Sequence, residues 1–425
     1  MSQQLAASTV RPPSFGDRSL EEIAESRERP VDDANGALPA TPRHGHDLAD
    51  LRDLLAVAER RPGAVSLVDT VRHERIARVE GVGRAPHSIA FHRSLPENTR
   101  EGAYAYVQSR QGWVSKIDLY GGRLVARARG GTSGRSIAVS ADSRYVCAGY
   151  YNPNHVVVFD ADTLEPLTRI RTHGIDPEGE SVPSRVCTVL DVPGQRCFLV
   201  ALKDAGRVWF VDYGTDDGSD SFPVVDDVPV GPVLHDALFA PDGRHCVLAS
   251  QGEECLFVLD TERREVVDRI PTAGPPHPSP GAIDRDRGLG FAATVMTDAV
   301  TAWDLERFEP VADIEVPGDG MFLNSHPDCD AVWGDVIFDS GDRNDLLYRI
   351  DPDTLEVADV IDTSKWGEGR SLHPEFTRDG DSVYVSLWDA GKLLVFDAQS
   401  GDLRAEIDGL ETPTGSFLGT RATDP

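Results

Sequence analysis

Six histidines and arginines stand at comparable places in short Gly- and Pro-containing turns that precede apolar runs. They are His87, Arg135, Arg185, His235, His277 and Arg370. Imidazole can bind a metal ion or transfer a proton near neutral pH, and guanidinium binds carboxylates through paired hydrogen bonds. We expect the fold to gather these turns on one face, where they would hold an anionic, metal-centred ligand.

The element that must position these turns is a repeat in which an apolar strand ends in Asp and a polar turn follows. Its copies lie 42 to 52 residues apart, which is the length of one four-stranded propeller blade. Eight copies are present: Val65–Asp69, Val114–Asp118, Val156–Asp160, Val208–Asp212, Leu256–Asp260, Val300–Asp304, Leu347–Asp351 and Leu393–Asp397.

The repeat predicts an all-β, eight-bladed β-propeller over residues 49–425. The first repeat lacks one strand, and the apolar segment Gly415–Arg421 follows the last one. Docking this C-terminal strand into the first blade would close the ring and remove a free edge. Residues 1–48, rich in Pro, Ala, Asp and Arg, are expected to form a flexible N-terminal tail with a brief helix-like stretch at Ser19–Glu25.

In a propeller, the connection from a blade's outer strand to the next blade's inner strand crosses one face and reaches the central channel. A single His or Arg in such a turn more often makes a surface contact than a functional one. Recurrence at equivalent places favours a common site. A zinc site made by His87, His235 and His277 stays possible, although no short His-x-x-His spacing supports it.

The net charge of −29 argues against nucleic acid and anionic membranes as partners, because phosphate-binding surfaces need basic patches. An acidic surface of this kind is typical of proteins from salt-rich cytoplasm. The six cysteines form no Cys-x-x-Cys or Cys-x-x-Cys-His motif, and we expect buried free thiols. No apolar run is long enough to span a membrane and no signal peptide is visible, so a cytoplasmic location is expected.

From about residue 50 to residue 421, the chain resembles the haem-d1 propeller of cytochrome cd1 nitrite reductase and its relatives in haem-d1 biosynthesis. Each matching stretch is weakly specific alone, and their order along the blades makes the resemblance specific. The stretches are Gly83–His87, Tyr106–Gly112, Arg135–Ile137, Ala148–Pro153, Arg185–Val186, Leu234–Asp236, Pro276–Pro278, Ser325–Pro327 and Thr412–Gly415.

The resemblance implies haem d1 as the cofactor, with His87 as the proximal ligand of its iron. It also implies that Arg110, Arg135 and Arg185 hold the carboxylates of the macrocycle, and Arg370 lies in a neighbouring turn. His235 and His277 match the two distal histidines that donate protons to iron-bound nitrite in the reductase. Tyr151 matches an aromatic residue near the cofactor.

Two functions are compatible with this resemblance. The leading hypothesis is a haem-d1-binding protein of denitrification that acts in haem-d1 biosynthesis, with haem d1 or its precursor as partner. The alternative is a nitrite reductase that produces nitric oxide with electrons from a separate donor, since the chain has no Cys-x-x-Cys-His motif of its own. The enzyme class therefore stays open between these two, and a propeller scaffold without haem is a third possibility.

Overall fold

The computed structural model describes residues 18–29, 51–93, 103–175, 179–214, 221–338 and 343–418. Over these ranges the chain is almost entirely β-structure, arranged as eight four-stranded antiparallel blades with one additional hairpin. The predicted all-β, eight-bladed propeller is confirmed. The blades are numbered here in chain order.

The strands follow one another blade by blade along the chain. Blades 1 and 2 contain β1 (Leu54–Glu59), β2 (Ala64–Asp69), β3 (Glu74–Glu80), then β4 (Pro86–Phe91), β5 (Tyr104–Ser109), β6 (Trp113–Asp118) and β7 (Arg123–Arg129). Blades 3 and 4 contain β8 (Thr132–Val139), β9 (Tyr145–Asn152), β10 (His155–Asp160), β11 (Pro166–Arg171), then, after the additional hairpin of β12 (His173–Ile175) and β13 (Ser181–Pro183), β14 (Val186–Asp191), β15 (Cys197–Leu202), β16 (Arg207–Asp212) and β17 (Val224–Pro229).

The second half of the ring repeats the pattern. Blades 5 and 6 contain β18 (Leu234–Phe239), β19 (His245–Ser250), β20 (Cys255–Asp260), β21 (Glu265–Pro271), then β22 (Pro276–Asp284), β23 (Leu289–Thr294), β24 (Ala299–Asp304) and β25 (Pro310–Glu315). Blades 7 and 8 contain β26 (Leu323–Asn324), β27 (Val332–Asp335), β28 (Leu346–Asp351), β29 (Glu356–Asp362), then β30 (Ser371–Phe376), β31 (Ser382–Leu387), β32 (Lys392–Asp397) and β33 (Leu403–Ile407).

The Asp of each repeat closes the turn after the third strand of its blade, and all eight of these strands end at that Asp. The carboxylate of Asp69, for example, accepts hydrogen bonds from the backbone N–H groups of Val71 and Arg72. Such a turn satisfies N–H groups that the strand pairing leaves free. The repeated Asp that identified the blades in the sequence thus accepts the hydrogen bonds that form the turn.

The ring closes through the C-terminal strand β34 (Pro413–Leu418), which pairs antiparallel with β1 in blade 1. The sheet order β3-β2-β1-β34 makes β34 the missing strand of that blade. The predicted closure is confirmed, with Gly415 opposite Ala58. Residues 419–421 of the predicted segment lie outside the described residues.

The hydrophobic core is divided among the boundaries between blades. The described residues form eight buried clusters, and each joins the facing sheets of two neighbouring blades, including blade 8 with blade 1. All six cysteines are buried, as expected. Because each cluster needs both of its blades, the ring as a whole determines the shape of the central channel.

The N-terminal segment 18–29 packs against the outside of blades 2 and 3. Its helix α1 (Leu20–Glu25) begins with a capping box in which Ser19 and Glu22 bond each other's backbone N–H groups. Ile23 is fully buried in the core between the two blades, and Glu28 pairs with Arg127 of β7. The helix-like stretch is confirmed; the rest of the predicted tail, 1–17 and 30–48, lies outside the described residues.

Two 3₁₀ helices, Leu51–Asp53 and Ser364–Trp366, complete the described helical elements. Within the part of the chain that the structure describes, no helix is both long and apolar enough to cross a lipid bilayer.

Candidate functional site

Bulges in the innermost strands direct the candidate site residues into the channel. Consecutive side chains of a regular strand point to opposite faces, and a bulge changes this direction locally. The register of β4 shifts at His87, that of β8 at Arg135, and that of β18 across His235 and Asp236. Equivalent shifts occur in β14 and β30. Shifts also follow His277 in β22 and interrupt the pairing of β34 with β1, so seven of the eight innermost strands carry one.

The side chains meet at a cavity of about 630 Å³. This volume lies within the range of cofactor sites. Among the candidates from the sequence, His87, Arg110, Arg135, His277 and Arg370 line it. The structure therefore brings together residues from blades 2, 3, 6 and 8 that are far apart in the chain.

Arg135 connects the two histidine groups across the cavity. Its Nη1 lies 3.1 Å from His87 Nε2, and its Nη2 lies 3.0 Å from His235 Nε2. Guanidinium can only donate hydrogen bonds, so both Nε2 atoms accept and neither carries a proton. One cation thus sets the proton positions of two imidazoles.

His87 is held as a neutral imidazole. Burial lowers the pKa of His87 well below its usual value, and the Arg110 and Arg135 guanidinium groups lower it further. Its Nδ1 lies 2.9 Å from the Ser88 hydroxyl oxygen. A neutral ring with a free electron pair on Nε2 is the form that binds a metal ion.

Asp236 lies between His235 and His277 and contacts both. Its Oδ1 is 3.2 Å from His235 Nδ1, and its Oδ2 is 2.6 Å from His277 Nε2. Burial alone would raise the pKa of Asp236, yet the two imidazoles hold it well below its usual range. The cluster of His235, Asp236 and His277, called here the distal cluster, thus contains an ionised carboxylate.

Both ring nitrogens of His277 face acceptors. Nδ1 lies 3.1 Å from the Ser279 carbonyl oxygen, while Nε2 faces the Asp236 carboxylate. Only an imidazolium satisfies both oxygens at once, so this geometry favours a proton stored on His277. His235 differs, because burial lowers its pKa and its Nε2 accepts from Arg135.

The distal cluster also has the composition of a small metal site, with ligand atoms within 4.8 Å of one another. The hydrogen bond from Arg135 opposes that use. While Arg135 donates to His235 Nε2, the Nδ1 of His235 must carry the proton and cannot donate an electron pair to a metal. The geometry favours proton transfer over metal binding at this cluster.

Cations are crowded on the side of the cavity formed by blades 1 and 2. Burial and the neighbouring Arg135 lower the pKa of Arg110 to about 10, and burial and Arg135 also lower the pKa of Arg60. A bound anion would relieve this repulsion. The arrangement is suited to a ligand that carries carboxylates.

Three predicted residues are not part of the cavity lining, namely Tyr151, Arg185 and His235, the last of which contacts the lining residue Asp236. Arg185 is on the exposed rim, where its guanidinium pairs with Asp204 and lies 5.2 Å above the ring of Tyr151. Arg370 lines the cavity and likewise pairs with a rim carboxylate, Asp389, at 3.2 Å. The roles of Arg185 and Tyr151 in binding a cofactor therefore stay predictions.

Sequence reasoning missed several cavity residues. Arg60 and Trp388 occupy the turns after second strands, at the place that Arg110 occupies in blade 2. Phe322 and His373 form a wall with ring centroids 4.5 Å apart. Burial lowers the pKa of His373 to about 4. Aligning the turns after second strands as well as those before first strands would have revealed Arg60 and Trp388.

The backbone of this wall is fixed by a second buried carboxylate, Asp335. Its Oδ1 accepts hydrogen bonds from the N–H groups of Met321 and Phe322, and its Oδ2 accepts from the N–H of His373. Burial raises the pKa of Asp335 to about 6. Blades 7 and 8 are thereby joined at the cavity.

Comparisons with known proteins show which family the chain resembles. The family model described as the cytochrome D1 heme domain matches residues 49–422. The chain is 33% identical over 394 residues to dihydro-heme d1 dehydrogenase of Pseudomonas aeruginosa, covering 92% of this chain and 75% of that protein. It is 32% identical to protein NirF of the same organism, covering 87% and 92%.

Other matches extend the comparison. Nitrite reductase of Stutzerimonas stutzeri is 26% identical, with 87% of this chain and 70% of the reductase covered. A solved structure of dihydro-heme d1 dehydrogenase NirN in complex with DHE superposes with a TM-score of 0.82 and 30% identity, covering 97% of this chain and 84% of that one. With its cavity, its histidines and these relatives, the chain belongs to the cytochrome d1 haem domain family.

Proposed function

We propose that the chain binds haem d1 or its precursor in the central cavity and acts in haem-d1 biosynthesis within denitrification. The observation that carries this proposal is the convergence of neutral His87 and the distal cluster on one cavity. Relatives named dihydro-heme d1 dehydrogenase and NirF support the biosynthetic role.

The residues present fit a macrocycle with a central metal and acidic side groups. Phe322, Leu372 and Trp388 offer apolar surface, while Arg60 and Arg110 offer cations without a carboxylate partner among the ion pairs of the described residues. His87 offers the electron pair of Nε2. Iron supplies the redox centre when the macrocycle is bound, and Arg135 must leave Nε2 for His87 to bind that iron.

The chain's own groups can move protons at two atoms opposite His87. His235 Nε2 has an electron pair and can accept a proton, whereas His277 holds a proton on Nε2 against Asp236. Asp236 remains ionised and stabilises either imidazolium. A base and an acid on one carboxylate suit proton transfer to or from a bound precursor.

Titration with haem d1, followed by visible spectroscopy, tests this proposal. Wild-type protein is expected to shift the spectrum, and His87→Ala to weaken binding by about tenfold or more, which corresponds to about 1.4 kcal/mol. His173→Ala, at an exposed histidine of the β12–β13 hairpin, is the control. The absence of any shift, or an equal affinity in His87→Ala, would contradict the proposal and favour a scaffold without haem.

The second candidate is a nitrite reductase fed by a separate electron donor. The proton held on His277 favours it, because reduction of nitrite to nitric oxide consumes protons. An artificial donor and nitrite would then give sustained nitric oxide production that falls in His277→Ala. Conversion of a dihydro precursor without nitric oxide production would support biosynthesis instead. The donor and the cytoplasmic location stay predictions.

A further inference from the structure

Ser88 completes a closed ring of hydrogen bonds with His87 and Arg135. Its hydroxyl donates to the Arg135 carbonyl oxygen at 2.6 Å, and its Oγ lies 2.9 Å from His87 Nδ1. The Arg135 side chain returns to the other nitrogen, His87 Nε2, at 3.1 Å. Arg135 thus contacts Ser88 through its backbone carbonyl and His87 through its side chain.

The bulge in β4 makes this contact possible. His87 and Ser88 are consecutive, so a regular strand would place them on opposite faces. The register shift between Pro86 and Ser88 instead lets both side chains line the cavity. Their proximity is therefore built into the backbone.

The direction of each hydrogen bond follows from the chemistry of the groups. The proton of the Ser88 hydroxyl is committed to a carbonyl, which can only accept. The same oxygen can then only accept from His87 Nδ1, so Nδ1 carries the ring proton. This leaves Nε2 with its electron pair directed into the cavity.

We propose that Ser88 is a positioning residue that fixes the tautomer and orientation of His87, so that Nε2 remains a metal ligand after Arg135 moves away. The inference rests on the proposed role of His87 as the iron ligand and adds a residue to it. Hydrogen bonds from the second nitrogen of ligating histidines commonly fix the ring in this way.

Blade 3 offers a matched control. Ser136 occupies the equivalent place after the bulged residue, and its Oγ bonds backbone atoms of Val189 in blade 4. Like Ser88, it joins neighbouring blades through a hydroxyl. Unlike Ser88, it bonds no histidine. Ser136→Ala therefore removes a link between blades at another lining position of the cavity without removing a hydrogen bond to His87.

The tautomer can be read directly from the protein alone by NMR of ¹⁵N-labelled histidine, with His87 assigned by comparison with His87→Ala. Arg135→Met removes the other constraint on the ring. In that background we expect the Nδ1–H tautomer when Ser88 is intact, and a mixture of tautomers when Ser88→Ala is added. Adding Ser136→Ala should change nothing.

Ser88→Thr and Ser88→Val provide a second pair, which differs only in the hydroxyl. In the Arg135→Met background, the Thr variant should keep the Nδ1–H tautomer and the Val variant should lose it. The proposal is overturned by an unchanged tautomer in both the Ala and the Val variants.

Haem d1 binding supplies the second measurement, with Arg135 intact. Ser88→Ala should weaken binding by about tenfold or more, the effect usual when a metal-binding histidine loses the hydrogen-bond partner of its other nitrogen, while Ser88→Thr and Ser136→Ala stay near wild type. Equal affinity in Ser88→Ala and wild type would overturn the proposal. If wild type itself binds no haem d1, the proposed function fails, whereas the NMR result still decides the tautomer.

Discussion

Asp236 is the residue on which the electrostatics of the distal cluster depend. It is the anion placed between His235 and His277, with Arg135 Nη2 3.7 Å away. In a buried site, an uncompensated charge is costly, and here the cations surround one carboxylate. The protonation of His235 and His277 therefore depends on the Asp236 carboxylate.

Replacing Asp236 by Asn should lower the pKa of His235 further below its usual value. Burial already lowers this pKa, and Asp236 is the group that opposes the effect. Without the carboxylate, the Arg135 cation also acts unopposed. NMR titration of the His235 resonances would measure the change.

Asp204→Asn is the control for this titration, since Asp204 pairs with Arg185 on the rim. It should leave the His235 titration unchanged. A rise in the pKa of His235 in Asp236→Asn would contradict the electrostatic account.

Residue types predicted several of the side chains that meet at the cavity, and the different position of Arg185 has a physical cause. His87, Arg135, His235 and His277 precede or begin inner strands and were identified. Arg185 corresponds to Ala85, which lies two residues before His87. The equivalence follows from the backbone hydrogen bonds, because Lys203 N donates to the Arg185 carbonyl oxygen as Arg110 N donates to the Ala85 carbonyl oxygen. A two-residue offset cannot be seen before the bulges are known.

At the scale of single elements, His155 joins β10 of blade 3 to the connection that follows blade 2. Its Nε2 donates to the Gly130 carbonyl oxygen at 2.9 Å, and its ring packs edge-on against Tyr150. Burial lowers the pKa of His155 to about 4. At a pH between the pKa values of the folded and unfolded states, the His155 ring therefore stays neutral in the folded protein and is protonated in the unfolded chain.

This difference predicts a loss of stability on acidification. An unfolded histidine has a pKa of about 6.5, so between that value and the folded pKa only the unfolded chain binds the proton. Lowering the pH from 7 to 5 should reduce the free energy of unfolding of wild type by about 2 kcal/mol more than that of His155→Gln.

Urea denaturation at several pH values measures this, and His173→Gln at an exposed site should behave as wild type. Buried Asp191, whose pKa burial raises to about 6, acts in the opposite direction and is present in all three proteins. The prediction is therefore made for the difference between variants. Parallel pH profiles of wild type and His155→Gln would refute it.

The elements themselves were largely readable from the chain. The Asp that ends each third strand is visible in the sequence and accepts the hydrogen bonds of the following turn. The number of these Asp residues therefore equals the number of blades. The β12–β13 hairpin was not foreseen, because its strands have three residues each and show no apolar alternation. Whether such short segments form strands depends on the contacts they make in the folded protein more than on their own sequence.

At the scale of the whole molecule, the net charge of −29 opposes the compact state. Salt screens repulsion between exposed charges over distances of about 10 Å at 0.1 M and less at higher concentration. The free energy of unfolding should therefore rise as KCl is increased from millimolar to molar concentration. Urea denaturation at each concentration would show a higher midpoint.

A neutral osmolyte at equal osmolality is the control, because it is excluded from the protein surface but does not screen charges. It should raise the midpoint less than KCl does. A midpoint that falls with KCl would mean that screened ion pairs outweigh the self-repulsion.

The closing strand β34 also sets the order in which the protein can become functional during synthesis. Thr414, Gly415 and Phe417 line the cavity, yet they are translated after every other blade. A nascent chain still held by the ribosome at these residues has an open ring and an incomplete cavity wall. If the cavity binds a macrocycle as proposed, binding would have to follow completion of the chain, because its last strand supplies part of the wall.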